Sequence, residues 1–174
     1  MLSFDTGILV LRLIVGMAIA AHGAQKLFGW FGGYGIKGTG GFFESLGFRP
    51  GTVFAVASGI GEFGGGVLIA LGLFGPVGAT LVTATMLTAI FTVHAPKGFF
   101  NQNGGWELPA IYAAAAFALA FAGPGLYSLD ALLGLGAWDA PFYAWIGVGV
   151  SILGLIGNLL IRRPVAAPAA TSGS

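Results

Sequence analysis

Five stretches of this chain are apolar for long enough to cross a membrane, and no other feature restricts its fold as tightly. A spanning helix needs about 20 mostly apolar residues to cover roughly 30 Å of hydrocarbon. The stretches run from Gly7 to Phe28, Val53 to Phe74, Pro76 to Ala95, Trp106 to Gly123 and Pro141 to Ile161. Gly75 and Pro76 divide the second from the third, since proline suits the first turn of a new helix. The fourth stretch is short. Of 174 residues, 56% are hydrophobic and 7% charged, and mean hydropathy is +0.91. That leaves too little polar surface for a water-soluble domain of this size. The sequence therefore predicts an all-α, integral membrane helical bundle.

Ala18-Ile19-Ala20 resembles a signal cleavage site, but Asp5 and no Lys or Arg precede the apolar run, which itself carries Arg12. An uncleaved span is the expectation. The Ala/Pro/Ser-rich segment from Pro164 to Ser174 reads as a disordered tail. Lys26, at the inner end of the first span, and Lys37, Arg49, Lys97, Arg162 and Arg163, between or after the spans, fall on one side, whereas Asp5, Asp130 and Asp139 fall on the other. The positive-inside rule then predicts an outer N-terminus and a cytoplasmic C-terminus. Seven Lys plus Arg against six Asp plus Glu give no basic excess for nucleic acid. With no cysteine, the chain carries no disulfide, thiolate nucleophile or cysteine-ligated metal.

A charge at the membrane centre costs about 2.5 to 3.5 kcal/mol on insertion scales and needs a partner or a purpose. Arg12, His22, Glu62 and His94 are the candidates. At helical spacing Arg12, Gly16, His22, Gly23 and Lys26 share a sector of roughly 120°, which should face protein. Ser58, Glu62, Gly65 and Gly66 share a narrower face, and Gly61 with Gly65 has the spacing that lets helices approach closely. Glu62 is expected either to pair with Arg12 or to exchange protons as a desolvated carboxyl. Taken singly, His22 and His94 read as hydrogen-bonded packing residues. Together they would bracket a haem iron, but no further motif supports haem. Thr85, Thr88 and Thr92 form a stripe explained by hydroxyls bonding back to the helix. Glycines and aromatics from Gly29 to Gly51 lack the strand and GK[ST] of a phosphate loop. They read as a loop touching the membrane boundary, with one short helix from Phe42 to Leu46.

Several blocks, in order, carry a resemblance: Arg12 with Gly16, HGAQKLFGWFGGYG from His22, GTGGFFESLGF from Gly38, GEFGGGVLIALGL from Gly61, HAPKGFFNQNGGWELP from His94 and AGPGLYSLD from Ala122. Across about residues 8 to 133 the chain resembles the DoxX family of small bacterial and archaeal membrane proteins. The resemblance implies a four-helix core, over residues 1–133, in a bacterial or archaeal cell membrane; the additional transmembrane helix over 134–162 and the tail over 163–174 lie beyond it and are read from hydropathy and composition alone. It also implies quinone-dependent sulfur or thiol oxidation within a larger complex, although it does not make every member an enzyme.

On that footing the leading expectation is a membrane subunit that passes electrons from a sulfur or thiol donor to a quinone. Quinone reduction takes up two protons with two electrons, so the site needs protonatable groups. His22, Glu62, His94 and Glu107 are the candidate catalytic residues. Lys26, Lys97, Arg12 and Trp106 are the candidate cofactor-binding ones, the two lysines stabilising developing negative charge, and no metal ligands are expected. Partners are membrane lipid and a redox protein, and self-association stays open. The alternatives are a non-catalytic scaffold recruiting a soluble redox or stress-response protein through aromatic loops, and a small transporter or channel.

Overall fold

The computed structural model describes residues 2–136 and 141–163, whose regular structure is entirely helical. Its helices are α1 (Leu2–Phe28), α2 (Gly35–Ser45), α3 (Gly51–Leu71), α4 (Val77–Ala89), α5 (Glu107–Ala122), α6 (Leu129–Leu133) and α7 (Pro141–Ile161). Asp139 and the tail from Pro164 to Ser174 lie outside the described residues. A ring of four forms the core: α1 packs on α3, α3 on α4, α4 on α5, and α5 back on α1. Ile19, Val82, Met86, Ala116 and Leu119 fill its centre.

Small residues set how closely these helices approach. A Cβ on Gly66 would lie 2.5 Å from the carbonyl oxygen of Gly16, and one on Gly65 would lie 3.0 Å from that of Gly78. Only hydrogen atoms fit at such contacts. Gly16 meets Gly66 while Gly23 meets Phe63, and Gly61 meets Thr85 while Gly65 meets Gly78, so α3 runs antiparallel to both α1 and α4.

The apolar runs predict the helices well, and the differences have local causes. Helix α3 stops at Leu71 because Gly72 (φ 62°) and Phe74 (φ 60°) turn left-handed. Helix α4 continues through a π turn (Ile90–His94) and a 3₁₀ turn (Ala95–Lys97), making a 21-residue apolar unit. Among the described residues four helical units are long and apolar enough to cross a membrane. Helix α5, with 16 residues, reaches only about 24 Å. The expected short helix from Phe42 to Leu46 is corrected to Gly35–Ser45. Its glycines hid it, yet one of them, Gly40, is what brings α2 against Thr52 at the start of α3.

Helix α7 lies outside the ring, against α4 and α5. The Ser151 hydroxyl lies within hydrogen-bonding distance of the carbonyls of Gly147 (2.8 Å) and Thr80 (3.1 Å), and Asn158 Nδ2 donates to Thr88 Oγ1 at 3.2 Å. These pairs make α7 parallel to α4. At its end, Arg163 N–H donates to Gly47 O (2.9 Å) and Arg162 Nε to Leu46 O (2.6 Å). Lys26, Lys37, Arg49, Lys97, Arg162 and Arg163 thus gather at one end of the bundle, and Asp5, Arg12 and Asp130 at the other.

Candidate functional site

The expected pairing of Arg12 with Glu62 does not form. Arg12, 3% exposed, donates from Nη1 to Pro124 O (2.5 Å) and from Nη2 to Tyr127 O (2.6 Å). Antiparallel packing of α1 on α3 separates the two residues: Gly16, one turn beyond Arg12, already meets Gly66 and Ala70, well past Glu62. Fully buried Asp130 lies near enough to Arg12 to act on it electrostatically. Its carboxylate accepts from Phe74 N–H (2.8 Å) and Gly75 N–H (2.6 Å), holding Phe74 in its left-handed conformation. This end of the bundle is a structural clamp, with a cavity of about 20 Å³ beside Arg12.

Glu62 pairs instead with Lys26. Lys26 Nζ donates to Glu62 Oε1 at 2.6 Å and to Ser58 Oγ at 2.9 Å. Both acceptors lie one turn apart on α3, and Lys26 reaches them from the last turn of α1. The Glu62 side chain is 3% exposed, and its Oε2 has no hydrogen-bond partner among the described residues. A buried carboxylate oxygen left unmatched is costly, so the pair keeps unused capacity for a polar contact.

Two cavities meet at Lys26. One, of about 410 Å³, lies under α2 between α3, α4 and α7, with Phe42, Phe43, Phe48 and Phe54 on one side and Ser58, Thr85, Thr88, His94 and Asn158 also on its walls. The other, of about 560 Å³, is lined by His22, Gln25, Tyr34 and glycines of the 32–38 segment. Lys26, Thr39 and Phe42 border both. His22 and His94 therefore line different cavities. The His22 ring meets Tyr112 edge-on at 6.1 Å, and His94 Nδ1 lies 2.6 Å from Gly104 O. A carbonyl only accepts, so Nδ1 carries a proton in this contact.

Glu107, Lys97 and Trp106 belong to the hairpin between α4 and α5 and line neither cavity. Glu107 Oε2 accepts from Asn101 N–H (2.8 Å), its own N–H donates to Phe99 O (2.9 Å), and Trp106 packs edge-on to Phe99 at 4.7 Å. The Lys97 stem lies over Gly104. These contacts close the loop on itself. As expected from the threonine stripe, Thr85, Thr88 and Thr92 donate back to helix carbonyls. Sequence reasoning missed Thr39, Asn158 and the clamp role of Asp130. A polar residue in the most apolar span was the only available signal for Asn158.

Residues 7–95, just over half the chain, match the DoxX family. The chain is 31% identical over 128 residues to a Bacillus subtilis protein named "Putative oxidoreductase CatD", covering 74% of this chain and 87% of that one. It is 31% identical over 135 residues to an uncharacterized membrane protein of Mycobacterium tuberculosis (71% and 78% covered). An uncharacterized protein of Haemophilus influenzae is 32% identical over 123 residues (69% and 85%). No solved structure matches. Spanning helices, the family match and relatives aligned over most of both chains together make this chain a membrane protein of the DoxX family.

Proposed function

We propose that the chain is a quinone-binding membrane subunit of an oxidoreductase complex, seated with its N-terminus outside and its basic end in the cytoplasm. The observation that carries the reading is the Lys26–Glu62–Ser58 cluster at the wall of an aromatic cavity. Its volume of about 410 Å³ suits a small ring compound, within the range of roughly 300 to 1,000 Å³ common for ligand sites. Four phenylalanines offer ring faces, and Lys26 has a third N–H beyond those held by Ser58 and Glu62.

A bound quinone supplies two-electron, two-proton acceptor chemistry. Lys26 orients an oxygen of the ring and favours negative charge on it, while Glu62 fixes Lys26 through its buried ion pair. His94 brings an imidazole, a group able to exchange protons, to the same cavity, and His22 stands in the neighbouring one, across Lys26. Electrons come from a sulfur or thiol donor on a partner protein, because this chain has no cysteine. The Bacillus relative's name supports a redox role.

Decylubiquinone binding to the purified chain in lipid nanodiscs, read by tryptophan quenching, tests the reading. Lys26→Met is expected to weaken binding at least tenfold and Glu62→Gln several-fold, with folding intact. Equal affinity in wild type and both variants would overturn it. A second reading, a scaffold for a soluble partner, rests on the exposure of Phe31 (72%) and Tyr34 (86%) at the basic end. It predicts that Trp30→Ala disrupts complex formation while Glu62→Gln leaves it intact.

A further inference from the structure

The 410 Å³ cavity is uneven in what it offers a ligand. Thr85, Thr88 and Thr92 have committed their hydroxyl protons to helix carbonyls. On the α1 side what remains is mainly donors: Lys26 keeps an N–H, and Ser58, which accepts from Lys26, keeps its O–H. Asn158 adds an uncharged acceptor, together with the second N–H of its amide. Because the Thr88 proton is held by Ala84 O (2.9 Å), Thr88 Oγ1 faces Asn158 as an acceptor, which fixes the amide with Nδ2 toward Thr88. Asn158 Oδ1 is left without a partner among the described residues. Lys26 comes from α1 and Asn158 from α7, with the α3–α4 pair between them, so the Lys26 donor and the unmatched Asn158 Oδ1 face the cavity from different sides.

We infer that Asn158 is a specificity-determining residue, selecting quinone rings that carry an N–H or O–H substituent on the edge away from the oxygen held by Lys26 and Ser58. The inference rests on the quinone reading above. It gives α7 a direct part in the site, although this helix lies outside the 7–95 family match. One hydrogen bond to an otherwise unmatched acceptor is worth roughly a five- to tenfold preference.

Two neutral probes of nearly equal size separate the possibilities: 2-amino-1,4-naphthoquinone, which carries the donor, and 2-methyl-1,4-naphthoquinone, which does not. The absence of cysteine keeps both from forming thiol adducts with the chain. Dissociation constants are measured for the full chain in nanodiscs. Asn158→Leu is expected to lower the amino-to-methyl preference five- to tenfold and to leave methyl-probe affinity within twofold. Thr88→Val, which removes the amide's anchor but keeps Asn158, is expected to lower the preference by a smaller factor. If both probes bind and neither variant changes their ratio, the inference falls and the quinone reading stands. If neither probe nor decylubiquinone binds the wild-type chain, both fall together.

Discussion

The two ends of this bundle each bury charge, but they match it differently. At the Arg12 end every strong contact terminates on backbone: two carbonyls take the guanidinium, and two N–H groups take Asp130. Each end also leaves one buried polar atom unmatched, Arg12 Nε at the first and Glu62 Oε2 at the second, but at the Lys26 end side chains match side chains and two large cavities open alongside. The first arrangement fixes a turn. The second keeps hydrogen-bonding capacity beside open volume, as a ligand site requires.

Charge deletion should separate them. Arg12→Met with Asp130→Leu removes both charges but orphans Pro124 O, Tyr127 O, Phe74 N–H and Gly75 N–H, so a loss of about 4 kcal/mol or more is expected in denaturant unfolding. Recovery of near wild-type stability would erase the contrast between the ends. Next in size, Gly72→Ala puts a Cβ onto the Arg12 guanidinium at a left-handed residue and should cost about 2 to 3 kcal/mol in the same assay.

The corresponding double change at the other end, Lys26→Met with Glu62→Leu, orphans no backbone group. Stability within about 1 kcal/mol of wild type is expected, since apolar replacement of a buried pair is often neutral. Quinone binding should nonetheless fall at least tenfold. Ser58→Ala is the smallest test: under about 1 kcal/mol in unfolding, and a two- to fivefold rise in the decylubiquinone dissociation constant.

Local features of this molecule were legible in the sequence, and distant ones were not. Pro141–Ile161 emerges with the boundaries its hydropathy gives, and the threonine stripe bonds back to its own helix, because both depend on neighbours within one turn. The glycine stripe likewise predicts close packing. Arg12 was seen to need a partner, but its partners lie 112 and 115 residues away in a loop whose carbonyls carry no side-chain signature. The Lys26–Glu62 pair was within reach, since both residues had been placed on protein-facing sectors. What hid it was register: Gly23 meets Phe63, which slides Lys26 rather than Arg12 onto Glu62. Helix α2 was masked by glycine content, which lowers helix propensity but leaves packing against α3 free to prevail.

The bonds from Arg162 and Arg163 to Leu46 and Gly47 bear on time as well as shape. They tie the end of α7 to the turn following α2, the helix that roofs the first cavity and borders the second. On the quinone reading, a ring that entered from the lipid between α2 and α7 would have to part that clasp, and part it again to leave. By that route the residence time of a bound ring would be set by two hydrogen bonds at the chain's far end, remote from Lys26 and Glu62.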